Sequence, residues 1–189
     1  MSGPSTPSQT VGPFYSIGFA WLERVDLAEG ASADTRVTVR GRVIDGDGKP
    51  VPDAVLEIWQ ADAQGRYAHP EGSADVAGSG KFFGFGRVPV NEQGEFCFTT
   101  IKPGPVIAPD GAKHAPHLAI SIFMRGLLRR LVTRIYFPDE SLNQNDPVLA
   151  VVSLERRATL IARAPEADKH SLIWDVHLQG ENETVFFDC

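Results

Sequence analysis

The chain has 189 residues, of which 42% are hydrophobic and 22% charged, a balance typical of one globular domain and not of a disordered protein. Its formal net charge of −6 disfavours binding to the phosphate backbone of nucleic acids. No apolar run approaches the roughly 20 residues that a membrane helix needs, and no signal peptide is predicted at the start of the chain.

Residues 1–18 are rich in Pro, Ser, Thr and Gly and show neither a helical nor a strand period. Apolar side chains nevertheless recur along this segment and just after it, at Val11, Phe14, Tyr15, Ile17, Phe19 and Trp21. Their exposure to water would be unfavourable. We therefore predict an arm over residues 1–20 that packs on its own body or on a partner chain, with a disordered tail as the alternative.

The body of the chain is predicted to consist of short strands joined by turns. Each strand is marked by apolar residues at alternate positions and by an excess of β-branched or aromatic residues. Gly, Pro, Asn and Asp mark the turns between the strands. A long loop is predicted over 62–80. The predicted strands, in chain order, are 35–44, 55–61, 82–88, 95–99, 117–124, 131–137, 171–178 and 183–187.

One helix is predicted among these strands. Ser153 is the candidate cap, the helix runs over 154–163, and Leu154, Ala158 and Ile161 form its apolar stripe. Many short strands with one helix predict an all-β fold, an antiparallel β-sandwich with long loops and an N-terminal arm. The whole chain, residues 1–189, is predicted to form a single domain.

Motifs for several common chemistries are missing from the sequence. The run 84–86 lacks the further glycine and the helix of a dinucleotide site, and no serine has a nucleophile-elbow context. His114 and His117 would lie on opposite faces of a strand, which disfavours a two-histidine metal site. Cys97 and Cys189 make neither a disulfide framework nor a zinc site, so we predict a protein of the reducing cytoplasm.

Four segments, in this order, resemble the intradiol ring-cleavage dioxygenases. They are GRVIDGDGKPVPDAVLEIWQAD at 41–62, GRY at 65–67, FTTIKPGP at 98–105 and LVTRIYF at 131–137. The first alone is also similar to other transthyretin-like sandwiches, whereas the four together are specific. TPSQTVGPF at 6–14 and GENETVFFD at 180–188 resemble the non-catalytic α chain of two-chain members of the family, so that the resemblance covers nearly the whole chain.

The resemblance implies a chemistry in which a ferric ion, held by two tyrosinates and two histidines, binds a catechol that dioxygen then cleaves between its hydroxyl-bearing carbons. The four ligand positions fall here on Tyr67, Val106, His117 and Ala119. Valine and alanine donate no electron pair to a metal. The resemblance therefore predicts no metal in this chain, with Tyr67 and His117 as remnants of a degenerate site. Arg134 is predicted to be a solvated or paired charge at a strand edge.

The same resemblance implies a homologous partner, a β chain that holds the Fe(III), in an αβ protomer of a higher oligomer. Thr10, Gly12 and Pro13 of the arm, together with Arg125, are predicted to be donated to the substrate pocket of that partner. Two alternatives remain open. One is a self-sufficient iron dioxygenase with other ligands, and the other is a non-catalytic β-sandwich that binds or carries a ligand.

Overall fold

The computed structural model describes residues 6–68, 82–166, 168 and 170–188. The predicted loop over 62–80 lies mostly outside these ranges, as do Cys189 and the first five residues of the predicted arm. In chain order, the strands of the described ranges are β1 (Arg36–Ile44), β2 (Val55–Trp59), β3 (Phe85–Pro89), β4 (Glu95–Ile101), β5 (Val106–Ile107), β6 (Lys113–His114), β7 (His117–Phe123), β8 (Leu131–Tyr136), β9 (Ser171–Ile173) and β10 (Val176–His177).

Two sheets face each other, as the predicted sandwich requires. One sheet has the strand order β3-β2-β7-β8, and every neighbouring pair in it is antiparallel. In the other sheet β1 pairs antiparallel with β4 and, along its other edge, parallel with β9 and then β10. Strands β5 and β6 form a separate two-stranded ribbon. The predicted antiparallel sandwich is confirmed, with this parallel addition at one edge.

The C-terminal strands differ from the prediction in their extent. The predicted strand over 171–178 is divided into β9 and β10 because Trp174 and Asp175 leave the ladder, although Leu172, Trp174 and Val176 still alternate inward. The prediction of a strand over 183–187 is wrong, since only Phe187 forms a bridge there, to Val132.

The core lies between the two sheets and follows the two-residue period of the strands. It also receives Trp174 and Val176 from the C-terminal segment. Buried side chains that the two sheets contribute include Val39, Val43, Phe96 and Phe98 on one side and Leu56, Ile58, Leu118, Ile120, Ile122 and Ile135 on the other.

Helices are short in the described ranges. They are α1 (Phe14–Gly18), α2 (Pro147–Val151) and α3 (Leu154–Arg157), with 3-10 turns at Ala20–Leu22, Ala33–Thr35, Ser141–Asn145 and Ala158–Leu160. Across those same ranges, no helix combines the length and the apolar character that crossing a bilayer demands.

The predicted helix over 154–163 is wrong in its extent and in its buried face. Its α-helical part ends at Arg157, and Leu154 is exposed whereas Leu160 is buried. Ser153 makes no capping hydrogen bond with its side chain. The effective cap is Asp146, whose carboxylate accepts the N–H groups of the first turn of α2.

The side chains of β2, β3, β7 and β8 that point away from the core form what we call the outer face. The strand register aligns them in rows that cross the sheet. One row runs Phe85, Trp59, Ala119, Arg134, and the next runs Arg87, Glu57, Ser121, Val132. The candidate site lies on this face.

Candidate functional site

The predicted ligand positions gather at one end of the outer face. His117 and Ala119 lie two residues apart on β7, and Ala119 pairs with Trp59 of β2. The ring of Tyr67 stacks on that tryptophan, with ring centroids 6.2 Å apart and planes 7° from parallel. Val106 pairs with a histidine of β6, His114, whose ring centroid lies 6.0 Å from that of His117.

His117 is a buried, neutral imidazole. Its Nδ1 lies 2.7 Å from the carbonyl oxygen of Ala115, and because a carbonyl only accepts, Nδ1 carries the proton. Burial, helped by the positive charge of Arg134, lowers the pKa of His117 to about 4. At neutral pH the ring is therefore uncharged.

Tyr67 is a neutral phenol. Burial raises the pKa of its hydroxyl above the usual value of a tyrosine, and the nearby charge of Arg134 only opposes this effect. Burial therefore disfavours the tyrosinate form that the predicted iron chemistry would need.

Arg134 brings a fixed positive charge to the same end of the outer face. It stands opposite Ala119 in the register of β7 and β8. Its Nη1 donates to the hydroxyl oxygen of Tyr136 at 3.3 Å and lies 3.4 Å from Nδ1 of His114. Arg134 is therefore a half-buried cation that hydrogen-bonds to Tyr136 inside the site. Because β8 is the edge strand of its sheet, the predicted strand-edge position is confirmed, whereas a fully solvated charge is not observed.

This donor set does not fit a ferric ion. Val106 and Ala119 offer no ligand atom, and the phenol of Tyr67 is protonated. A guanidinium, which stays charged in proteins, stands among these positions and would repel a trivalent cation. In the part of the chain that the structure describes, no three His, Cys, Asp or Glu side chains form a cluster that could hold a metal ion.

A buried carboxylate beneath the site was missed by the sequence reasoning. Asp146 accepts the Tyr136 hydroxyl at 3.0 Å and the N–H of Ala115 at 2.8 Å. Burial acts to raise the pKa of Asp146, but hydrogen bonds from backbone N–H groups and from Tyr136 outweigh it, and the pKa lies below its usual value. The sequence did contain a signal for this residue. Asp146 followed by Pro147 before an apolar run is typical of a helix cap followed by proline at the first helical position.

The predicted residues of the arm approach the turn that follows β7. Thr10 Oγ1 accepts the N–H of Gly126 at 2.9 Å and lies 3.4 Å from the carbonyl oxygen of Met124. The structure thus brings Thr10 beside the backbone of Arg125. Gly12 adopts a positive φ of 69°, and Pro13 is the residue before α1.

The arm then docks on the outer face of its own chain. The Tyr15 hydroxyl donates to Glu57 Oε1 at 3.0 Å, and its ring stacks on Phe123 with centroids 4.9 Å apart. Arg87, which donates to the same glutamate, lies with its guanidinium 5.0 Å from the ring centroid of Phe19. These contacts place α1 on β2 and β7, and Phe19, the residue after α1, on β3.

The opposite side of the arm is apolar and exposed. The exposed fractions are 76% for Phe14, 68% for Ile17 and 77% for Trp21. Aromatic and aliphatic side chains clustered in this way are typical of protein–protein interfaces.

The fold and these motifs define a class of enzyme. A family model for dioxygenases matches residues 11–180, and the chain belongs to this family, the intradiol dioxygenases. The chain is 41% identical to the protocatechuate 3,4-dioxygenase alpha chain of Burkholderia cepacia, with 97% of this chain and 96% of that protein covered. It is 35% identical to the beta chain from the same organism, with 86% of this chain and 72% of that protein covered.

A solved structure confirms the fold. The crystal structure of 3-chlorocatechol 1,2-dioxygenase from Rhodococcus opacus 1CP superimposes with a TM-score of 0.64 at 22% identity. The superposition covers 93% of this chain and 67% of the other. Family membership and the sandwich architecture therefore agree with the prediction from the four sequence segments.

Proposed function

We propose that the chain is the α subunit of a two-chain protocatechuate 3,4-dioxygenase. With an iron-bearing, homologous β chain it cleaves protocatechuate between its two hydroxyl-bearing carbons. Dioxygen supplies both added oxygen atoms, so that these carbons become carboxylates and the product is 3-carboxy-cis,cis-muconate. The enzyme would act in aromatic catabolism, in the β-ketoadipate pathway, in the cytoplasm.

The incomplete donor set is the observation that carries this proposal. A chain with valine and alanine at two of four ligand positions, and a guanidinium among them, has no means of holding Fe(III) by itself. Its nearly full-length similarity to an alpha chain supports the view that a partner supplies the iron. That partner would carry both tyrosines and both histidines.

The arm and the turn after β7 are proposed to complete the partner's substrate pocket. Thr10, Gly12 and Pro13 would line it, and Arg125 would bind the carboxylate that distinguishes protocatechuate from catechol. A guanidinium remains charged and offers a planar pair of N–H donors that matches carboxylate geometry. The contact of Thr10 with the turn supports a joint role of these residues.

The exposed side of the arm is proposed to be part of the interface with the β chain. Obligate interfaces bury about 2,000 Å² or more and resemble a protein core. Phe14, Ile17 and Trp21 would supply apolar area of this kind. The αβ protomer would be the building unit of a higher oligomer.

Co-expression tests the proposal against both alternatives. The chain is produced alone and with a homologous chain that carries the full Tyr/Tyr/His/His set, and iron, colour and oxygen uptake with protocatechuate are measured. We expect a stable, iron-containing, active complex and a colourless, inactive single chain. Iron and activity in the single chain would support a self-sufficient dioxygenase. A failure of any such chain to associate would support a binding or carrier module.

A further inference from the structure

We infer that Asp53 is a positioning residue that holds the Arg125 guanidinium in the orientation needed to bind a substrate carboxylate. This inference rests on the proposed function, in which Arg125 contacts the substrate.

Asp53 lies in the turn before β2 and is largely buried, with 14% of its side chain exposed. Its Oδ2 lies 3.1 Å from Nε of Arg125. This contact has the distance of a hydrogen bond but not its direction, so the buried Oδ2 has no hydrogen-bond donor in the described part of the chain. Leaving a buried carboxylate oxygen without a donor is costly. A small rotation of Arg125 would relieve this cost.

The Nε atom and the two Nη atoms of the Arg125 guanidinium have different surroundings. Asp53 faces Nε, whereas neither Nη atom donates a hydrogen bond to any residue in the described ranges. The Arg125 side chain as a whole is 57% exposed, so the guanidinium is accessible to a ligand from outside the chain. A carboxylate ligand can therefore bind to the Nη atoms while Asp53 restrains the other edge.

The backbone of Arg125 is restrained separately by the arm. Thr10 Oγ1 accepts the N–H of Gly126, the residue after Arg125, and lies near the carbonyl oxygen of Met124, the residue before it. Gly126 has a φ of +87°, which favours glycine and turns the chain sharply after Arg125. Asp53 and Thr10 thus fix the side chain and the main chain of one residue from two parts of the sequence.

The test compares substrates in the assembled enzyme. Asp53→Asn keeps the size of the side chain and removes its charge. We expect kcat/KM for protocatechuate to fall about tenfold, equivalent to about 1.4 kcal/mol, mainly through KM, while kcat/KM for a catechol without a carboxylate changes little. Asp26→Asn is the matched control. It alters a second Asp–Arg pair, whose atoms Oδ2 and Arg36 Nη2 are 2.7 Å apart and which lies on the other sheet. We expect that control to leave both substrates unaffected.

Arg125→Ala and the double variant Arg125→Ala/Asp53→Asn separate this inference from the proposed function. If Asp53 acts through Arg125, the double variant loses no more than Arg125→Ala alone. Two results would overturn the role of Asp53 and leave the proposed function intact, provided that Arg125→Ala selectively lowers kcat/KM for protocatechuate. One is a double variant whose kcat/KM falls by the product of the two single losses. The other is an Asp53→Asn variant whose kcat/KM is unchanged. Equal losses on both substrates in Arg125→Ala would reject the proposed role of Arg125 and this inference with it.

A second variant keeps the inference testable if Asp53→Asn does not assemble. Asp53→Glu keeps the negative charge but moves the carboxylate by one methylene relative to Nε of Arg125. We expect a selective loss on protocatechuate in this variant too, because the guanidinium is then held in a different orientation. An assembled Asp53→Glu complex with unchanged substrate selectivity would contradict the inference that the Asp53 carboxylate sets the orientation of Arg125.

Discussion

Arg134 stands directly opposite Ala119 in the antiparallel pairing of β7 and β8. The resemblance of the sequence predicts an iron-ligand position at Ala119, and a guanidinium on the neighbouring strand stands beside this residue, which has no ligand atom. Burial raises the pKa of Tyr67 and lowers that of His117, and the charge of the guanidinium partly offsets the first effect and adds to the second. The missing donor atoms and the direct repulsion between a guanidinium and a metal cation both act against metal binding at these positions.

We therefore expect the purified single chain to contain no stoichiometric iron. Elemental analysis and visible absorption provide the measurement, because tyrosinate bound to Fe(III) is coloured. The complex with an iron-bearing partner serves as the positive control. One equivalent of iron in the single chain, or a metal ion bonded to Tyr67 or His117 in a crystal, would contradict this expectation.

The sequence alone shows that Val106 and Ala119 offer no ligand atom, but it does not show that the charge of Arg134 lies beside them. The reason is physical. Tyr67 and His117 lie in recognisable local motifs, and valine or alanine at the other two positions is visible from residue identity alone. The position of Arg134 depends on the register of β7 and β8, and strand spacing in a sequence does not determine which residues stand opposite each other. The contact of Asp53 with Arg125 joins two separate turns and is hidden for the same reason.

The predicted helix over 154–163 shows that a helical period in the sequence can be overridden by tertiary contacts. A stripe of apolar residues over 154–163 fits a helical period, but the segment must also pack against β8, and Ile161 forms a bridge to Tyr136 there. Tertiary pairing therefore ends α3 at Arg157. The core was more accessible to prediction, since the alternation of Val37, Val39 and Val43 along β1 reflects a two-residue period that the sandwich preserves.

The buried neutral state of His117 predicts acid sensitivity. Its pKa is about 4 in the folded chain and near 6.5 when exposed, so protonation favours the unfolded chain. The contribution to stability is complete above pH 6.5 and is lost as the pH falls through 6.5 towards 4. At pH 5 the loss of stability relative to neutral pH amounts to about 2 kcal/mol.

Urea unfolding of the chain at pH 7 and pH 5 measures this dependence. We expect His117→Gln to reduce the loss of stability between the two values, whatever its effect at pH 7. His170→Gln, which changes an exposed histidine, should keep the dependence of the original chain. Asp146 should not contribute to this difference between pH 7 and pH 5. Its pKa is lowered in the folded chain, and a carboxylate with a lowered pKa loses its contribution to stability only in more acidic solution. An unchanged pH dependence in His117→Gln would mean that other groups cause it.

Deletion of residues 1–18 should affect turnover more than folding. No residue of α1 is buried in the isolated chain, so removal of the arm leaves the core between the sheets intact. We expect the truncated chain to keep nearly the same thermal unfolding midpoint, while its complex with the β chain loses most of its kcat/KM. Tyr15→Phe, which removes only the hydrogen bond to Glu57, is the control for docking of the arm. Full kcat/KM in the truncated complex would show that the arm only packs.

Arg125 provides the most direct test of how the chain would contribute to catalysis. Charge-assisted hydrogen bonds are worth about 1.5–3 kcal/mol, and 1.4 kcal/mol corresponds to about one decade in an equilibrium constant. Arg125→Ala in the αβ complex is therefore expected to lower kcat/KM for protocatechuate by about tenfold to a hundredfold. The effect on a catechol without the carboxylate should be small, because that substrate makes no contact with the guanidinium. Arg42→Ala is a suitable control, since Arg42 pairs with Glu95 on the opposite sheet. If Arg125→Ala reduces the rates on both substrates equally, Arg125 supports the interface and does not bind the substrate.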